Sequence, residues 1–156
     1  MGAKLKMTIH IFVDADACPV KDEVYKVALR CNVPVTVVTN SFLRVPRHAL
    51  LDQVVVEKDP DAADDYIAER AAAHSIVITT DIPLADRCLK LGATVIAPNG
   101  KPFTENSIGA AMAIRALMQD LRSGGDIIGG PPPFDNRDRS RFLSALDNAV
   151  VRLRRA

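Results

Sequence analysis

Short apolar runs alternate with longer helical segments through the first hundred residues of this chain. Five of the runs are rich in Val, Ile and Thr, which is typical of strands that are covered on both faces. Strands that alternate with helices favour parallel β-α units. We therefore predict a three-layer α/β domain with a mostly parallel five-stranded sheet flanked by helices. Its strands are predicted at about 8–13, 34–39, 53–57, 75–80 and 93–97.

Proline and glycine mark where the predicted helices begin and end. Pro19, Pro60 and Pro83 stand where helices should begin, because proline is favoured at the first helical position. Gly92 follows the third helix and suits its C-terminal end. The helices of the sheet core are predicted at about 19–31, 61–74 and 83–91.

Two further helices are predicted after the last strand, at about 107–122 and 137–153, with a Gly/Pro-rich loop between them. The 156 residues are interpreted as a single domain. Its core spans about 8–123, and a C-terminal helical extension spans about 124–156.

Composition narrows the classes of protein that fit. Apolar residues make up 48% of the chain, yet no apolar run approaches the ~18–20 residues of a membrane span. The first apolar run is interpreted as a strand and not as a signal peptide. Cys18, Cys31 and Cys88 form no C-x-x-C pair, so we predict a reduced, cytoplasmic protein. The net charge of +1 gives no general attraction to nucleic acid, although residues 101–156 are more basic than acidic. The oligomeric state stays open.

Three aspartates follow predicted strands. Asp14 and Asp16 stand directly after the first apolar run, in "HIFVDADACPVKDEV", and Asp81 stands directly after "IVITT". The carboxyl ends of parallel strands meet at one edge of a sheet, where ligands bind. We therefore expect these carboxylates to share one rim.

The helix predicted at 61–74 adds two acids to this rim. Its inward stripe runs through Ile67 and Ala71, and the same stripe extends backward at helical spacing to Asp64 and Asp61. A helix that follows a strand begins near the carboxyl end of the sheet. Asp61 and Asp64 are therefore predicted to face the pocket, whereas Asp65 points away from the stripe and is expected to be solvated.

Clustered carboxylates repel one another, and a hard cation relieves the repulsion. Oxygen ligands suit Mg²⁺ or Mn²⁺, which activates water and steadies a leaving phosphate. We predict Asp14, Asp61, Asp64 and Asp81 as the metal ligands. The alternative, that some of these acids only cap helices, stays open because Asp is a favoured N-cap residue. Asp86 lies off the apolar stripe of its helix and is not expected in the set.

Four other residues are weaker candidates for contacts with substrate: Lys21, Asn40, Thr80 and Arg115. Lysine, amide and hydroxyl groups near the rim bind phosphate, and the arginine would hold a nucleic-acid backbone. Aromatic residues make up only 4% of the chain, so base stacking is expected to be sparse.

Two enzyme classes use acids in this pattern. An Asp after strand one, an acid on a mid-chain helix and an Asp after a later strand resemble the PIN-like and NYN nucleases, which hydrolyse RNA with Mg²⁺ or Mn²⁺. The order here fits this resemblance: Asp14, then Asp61 or Asp64, then Asp81. We predict Asp14, Asp16 and Asp81 as the catalytic residues, with Asp16 as a second ligand or base. Equally, "FVDADA", "VTVVTNS" and "IVITTDIPLAD" resemble motifs of haloacid-dehalogenase-type phosphatases, which implies Asp14 as nucleophile and Asp16 as acid/base. A third hypothesis is a non-catalytic module that binds RNA or a partner.

A closer resemblance covers about residues 9–150. It rests on five ordered motifs: "DADACPVKDEV", "DAADDYIAERA", "VITTDIPLADRCLKLGA", "PNGKPFTENSIG" and "GPPPFDNRDRSRFLSALD". These motifs resemble the YaiI/YqxD family of small bacterial proteins, whose function is uncharacterised and whose fold is similar to that of PIN-like nucleases. The resemblance implies a nuclease role, and this role falls on five aspartates: Asp14, Asp16, Asp61, Asp64 and Asp81.

Overall fold

The structure, a computed structural model, describes residues 8–16, 18–59, 61–123 and 134–155, except for the side chains of residues 119–123. Pro60 and most of the predicted Gly/Pro-rich loop lie outside these residues. In chain order the elements are β1 (His10–Asp14), α1 (Lys21–Cys31), β2 (Val35–Thr39), β3 (Leu51–Val55), α2 (Ala62–Arg70), β4 (Ser75–Ile78), α3 (Ile82–Lys90), β5 (Thr94–Ile96), β6 (Pro102–Phe103), α4 (Glu105–Ser123) and α5 (Asn136–Arg155).

The described strands form a six-stranded sheet in the order β3-β2-β1-β4-β5-β6. Strands β1 to β5 are parallel, and β6 pairs antiparallel with β5. The strand order reverses at β1, because the chain moves outward through β2 to β3 and then places β4 on the other side of β1. Such a reversal opens a crevice beyond the carboxyl ends of the two strands, which is where parallel sheets bind ligands.

Helices cover both faces of the sheet. Helices α1 and α5 pack on one face, and α2, α3 and the start of α4 pack on the other. Side chains of a strand alternate between faces, so Ile11 and Val13 join the first core whereas Phe12 joins the second. Each fully buried side chain of this kind stabilises the fold by about 1.5–3 kcal/mol. The predicted three-layer α/β architecture is confirmed, and it is consistent with a PIN-like arrangement.

The C-terminal helix α5 lies alongside α1 in the same direction. Near its start, Arg139 donates from Nη1 to the Pro19 carbonyl at 2.8 Å and to Glu23 Oε1 at 3.0 Å. Further along, Asp147 pairs with Arg30 of α1. Helix α5 therefore begins at the same end of the sheet as α1, beyond the carboxyl ends of the strands.

Several predicted bounds are corrected by the structure. The predicted loop after β5 contains β6, so the sheet has one strand more than predicted. Helix α1 begins two residues after Pro19, with the bond from Val24 N to Val20 O. Helix α2 ends at Arg70 because Ala71 is extended, at φ −67° and ψ 139°. Gly92 has φ +88° directly after the C-cap of α3, as predicted for a helix end. No helix among the described residues has the length and apolar character needed to cross a membrane.

Candidate functional site

The acidic rim lies where the strand order reverses. Asp14 is the last residue of β1, and β4 is its parallel neighbour, with Val13 level with Ile78. The chain positions that follow, Asp14 on β1 and Thr79 after β4, therefore lie side by side at the carboxyl end of the sheet. This is the crevice position that ligands occupy in open parallel sheets.

Thr79 connects the two aspartates that follow these strands. The Thr79 hydroxyl donates to Asp14 Oδ2 at 2.8 Å. The hydroxyl oxygen, Thr79 Oγ1, also accepts from the Asp81 backbone N–H at 2.9 Å. Thr79 is buried, whereas Thr80, which the sequence singled out, is exposed. Sequence reasoning missed Thr79, although the register of β4 against β1 points to it as the residue level with Asp14.

Asp81 is held at its place as a helix cap. It is the N-cap residue of α3, and its Oδ1 accepts from the Leu84 backbone N–H at 2.9 Å. Pro83 lies in the first turn of this helix rather than at its first position. Asp81 is therefore one of the acids that cap a helix, as the alternative interpretation of the sequence allowed. The capping bond fixes the direction of its carboxylate, and the second oxygen, Oδ2, takes no part in that bond.

Helix α2 brings Asp64 to the rim. Asp64 is half-buried on the turn that also carries the buried Ala63 and Ile67. Burial, followed by the negative charges of Asp81, Asp14 and Asp61, raises the pKa of Asp64 to about 7 from its ordinary 3.8, and the charge of Arg87 opposes the shift. The structure thus brings Asp14, Asp64 and Asp81 into one electrostatic group.

Asp61 stands at the edge of this group. It is the N-cap residue of α2 and is exposed, yet its side chain makes no capping bond. The backward extension of the inward stripe therefore places Asp64 toward the sheet but leaves Asp61 at the surface. Asp65 points outward as predicted and is bound by Arg87 at 2.8 Å.

Asp14 also has a raised pKa. Burial is the largest cause; the hydrogen bond from Thr79 opposes it, and the charges of Asp16 and Asp81 add to it. Asp16 is exposed in the turn that follows β1. Among the residues that the structure describes, no three acidic, histidine or cysteine side chains lie close enough together to hold a metal ion as they stand.

The weaker candidates are spread more widely. Lys21 is half-buried, and its ammonium donates to the Cys18 carbonyl at 2.8 Å. Asn40 is half-buried directly after β2, at the same end of the sheet. Arg115 is exposed on α4. Asp86 binds Lys90 at 2.9 Å, in line with its predicted exclusion.

Replacing Thr79 by Val is expected to lower the free energy of unfolding by about 1–3 kcal/mol. Valine keeps the shape of threonine but removes the partner of both the Asp14 carboxylate and the Asp81 N–H. Urea denaturation at neutral pH measures the change. The matched control is Thr80→Val, an exposed position where a change within about 0.5 kcal/mol is expected. Equal effects of the two substitutions would contradict the role given to Thr79.

The fold and the rim define a class: a three-layer α/β domain with acidic side chains gathered at the carboxyl end of a parallel sheet. A family model described as "Uncharacterized BCR, YaiI/YqxD family" matches residues 12–152. The chain belongs to this family.

Relatives named only as UPF0178 proteins are similar to the chain over nearly its whole length. The protein of Rhodopseudomonas palustris strain TIE-1 is 64% identical over 146 residues, which cover 94% of this chain and 92% of the relative. That of Nitrobacter winogradskyi is 61% identical over 148 residues, covering 95% and 94%. That of Sphingopyxis alaskensis is 64% identical over 146 residues, covering 93% and 95%. No solved structure matches the chain.

Proposed function

We propose that this protein is a metal-dependent nuclease that hydrolyses phosphodiester bonds in RNA at the acidic rim. The observation that carries the proposal is that Asp14, Asp64 and Asp81 gather at the carboxyl ends of β1 and β4, where Thr79 connects Asp14 to Asp81. In this setting, burial and the charges of Asp81, Asp14 and Asp61 raise the pKa of Asp64 to about 7. Mutual repulsion of this kind is what a bound cation relieves.

The donor chemistry fits Mg²⁺ or Mn²⁺, since all the candidate ligands are carboxylate oxygens. Asp14, Asp64 and Asp81 would hold the ion, with Asp61 as a further donor from the surface. When bound, such an ion lowers the pKa of a water molecule and neutralises charge on a phosphate.

The remaining roles fall to residues that position the metal ligands and to a residue that exchanges protons. Thr79 holds Asp14 through its hydroxyl and Asp81 through its backbone N–H. The cap bond to Leu84 N fixes the Asp81 carboxylate. Asp16 is exposed and close enough to affect the pKa of Asp14, which suits a second ligand or a base that accepts a proton from the attacking water.

The nuclease hypothesis accounts for the perturbed acid better than the phosphatase hypothesis. A haloacid-dehalogenase-type mechanism needs Asp14 and Asp16 but gives no role to Asp64, whose pKa burial and the neighbouring acids raise to about 7. The three cysteines are unbridged, which supports a reducing, cytoplasmic location for the proposed enzyme.

One comparison tests the proposal. Single-stranded RNA and a small aryl phosphate are each incubated with Mn²⁺ and the wild-type protein or Asp16→Asn. We expect cleavage of RNA and no turnover of the aryl phosphate, with Asp16→Asn slowed by about 100-fold. Turnover of the aryl phosphate with a trapped phospho-aspartate at Asp14 would contradict the nuclease and support the phosphatase. RNA that is bound but never cut would support the non-catalytic module.

A further inference from the structure

Helix α4 holds apolar side chains in solvent rather than in a core. Its first turn attaches to the domain through Ile108, which is buried in the core between the sheet and α3. Beyond Ile108 the contact ends, and residues 109–118 are exposed except for the half-buried Ala111 and Met118. The middle of α4 is therefore left uncovered by the part of the chain that the structure describes.

This uncovered stretch is apolar. Its sequence is "GAAMAIRALM", in which Arg115 is the one charged residue. Met112, Ile114 and Leu117 are 38%, 56% and 56% exposed, and helical spacing puts them on different sides of the helix. A single exposed apolar residue needs no explanation, but a helix that is apolar on all sides is typical of one that other elements cover.

Helix α5 shows the ordinary arrangement for comparison. It is of similar length, yet it buries Phe142, Leu146 and Val150, and its exposed positions are mostly polar. Packing of an apolar face supplies most of the stability of a helix in a protein. Helix α4 lacks that packing over its middle turns, so its apolar side chains are available to a partner.

Four exposed residues of α4 form a seam along one side of the helix: Ser107, Ala110, Ile114 and Leu117. They are three, four and three residues apart, which is the spacing of the contact positions in paired helices. The Ser107 hydroxyl is already bonded within the first turn, since it accepts from Thr104 N at 2.8 Å and donates to Thr104 O at 3.2 Å. Covering this seam therefore leaves no polar side chain without a partner.

The seam is complementary to itself. In an antiparallel pair with a two-fold axis level with Met112, Ile114 lies opposite the partner's Ala110. In the same pair, Leu117 lies opposite the partner's Ser107. Each large side chain thus meets a small one, and the match occurs twice because a two-fold contact uses the same patch on both chains.

The size of α4 also suits a second copy. Its residues Glu105–Ser123 make a helix about 28 Å long and about 10–12 Å wide. Covering one side of such a helix on each of two chains removes roughly 1,000 Å² from water, which is about the area that a specific interface needs. The single charge in the uncovered stretch offers little to a strongly charged partner.

We propose that two copies of this protein associate through the seam of α4, in an antiparallel helix pair. Ile114 and Leu117 of each chain pack on the small residues of the other, and the association places both large side chains out of water. The inference goes beyond the proposed nuclease function and does not depend on it, since the seam contains none of the rim acids.

The oligomeric state tests the inference. Sedimentation equilibrium of the wild-type protein is expected to give twice the 16.9 kDa of one chain. Ile114→Glu should weaken association by at least about 100-fold, because it places an unpaired charge in the interface. The matched control is Leu29→Glu, at a 40% exposed position of α1, which should leave the mass unchanged. A wild-type protein with the mass of one chain at every concentration, or equal effects of the two substitutions, would overturn the inference.

Exchanging large and small side chains tests the antiparallel pairing and avoids a new charge. Ala110→Leu should weaken association by about tenfold, because it overpacks the place opposite Ile114. Adding Ile114→Ala to Ala110→Leu should restore most of the lost affinity. Far-UV circular dichroism and urea denaturation check that each variant is folded, as leucine and alanine are both good helix formers. Unchanged or tighter association of Ala110→Leu, or no recovery in the double variant, would overturn the pairing.

Discussion

Replacing Asp14 by Asn is expected to lower the rate of RNA cleavage with Mn²⁺ by about 1,000-fold. Stabilisation of charge by a metal ion is worth several kcal/mol, and each ~1.4 kcal/mol corresponds to a factor of ten in rate. The rate is measured at saturating RNA, with the proportion of intact substrate followed over time.

The same substitution should leave the fold intact. Asparagine keeps an oxygen that can accept the hydrogen bond from Thr79. It also removes a carboxylate whose charged form is disfavoured by burial, the largest cause of the raised pKa of Asp14. The free energy of unfolding at neutral pH is therefore expected not to fall. The matched control is Asp86→Asn, which makes the same chemical change at a carboxylate paired with Lys90. An active Asp14→Asn protein, or an equal loss of activity in Asp86→Asn, would contradict the role of Asp14.

The second large effect concerns Asp64 and pH. Its pKa in the folded protein, about 7, lies above the ordinary 3.8, so the unfolded chain gives up this proton first as the pH rises. Ionisation of Asp64 then opposes folding, and its contribution to stability is lost between the two values. In the presence of a chelator, the free energy of unfolding should therefore decline from pH 3.8 to about 7, shallowly because solvent screens a half-buried group.

Asp64→Asn should remove much of this decline, since an amide does not titrate. Urea denaturation at a series of pH values measures both proteins, with Glu69→Gln as the control on the exposed face of the same helix. A pH profile of Asp64→Asn that overlays the wild-type profile would show that Asp64 is not the perturbed acid.

The sequence predicts the sheet well because its signals are local and repeated. Runs such as 34–39 and 75–80 can be buried only as covered strands, and the order of strands and helices then dictates parallel pairing. Strand β6 could not be predicted in this way, because it has only two residues, Pro102 and Phe103, and they carry no periodic signal. Its pairing depends on β5 being present beside it.

The acidic rim is predictable in part, for a related reason. Asp14 and Asp81 follow strong strands, so their place follows from topology. The position of Thr79 depends on the register between β1 and β4, which is a property of the folded sheet. Asp61, which helical spacing predicted to face the pocket, is exposed at the N-cap of α2, where its charge still raises the pKa of Asp64.

The central claim, that the acidic rim binds a divalent cation, is tested most directly by calorimetric titration with Mn²⁺. The wild-type protein and Asp86→Asn are expected to bind one ion per chain, and Asp14→Asn and Asp64→Asn are each expected to bind it at least about tenfold more weakly, because affinity depends on the number of charged ligands. Absence of binding by the wild-type protein, or equal binding by all four proteins, would contradict the account.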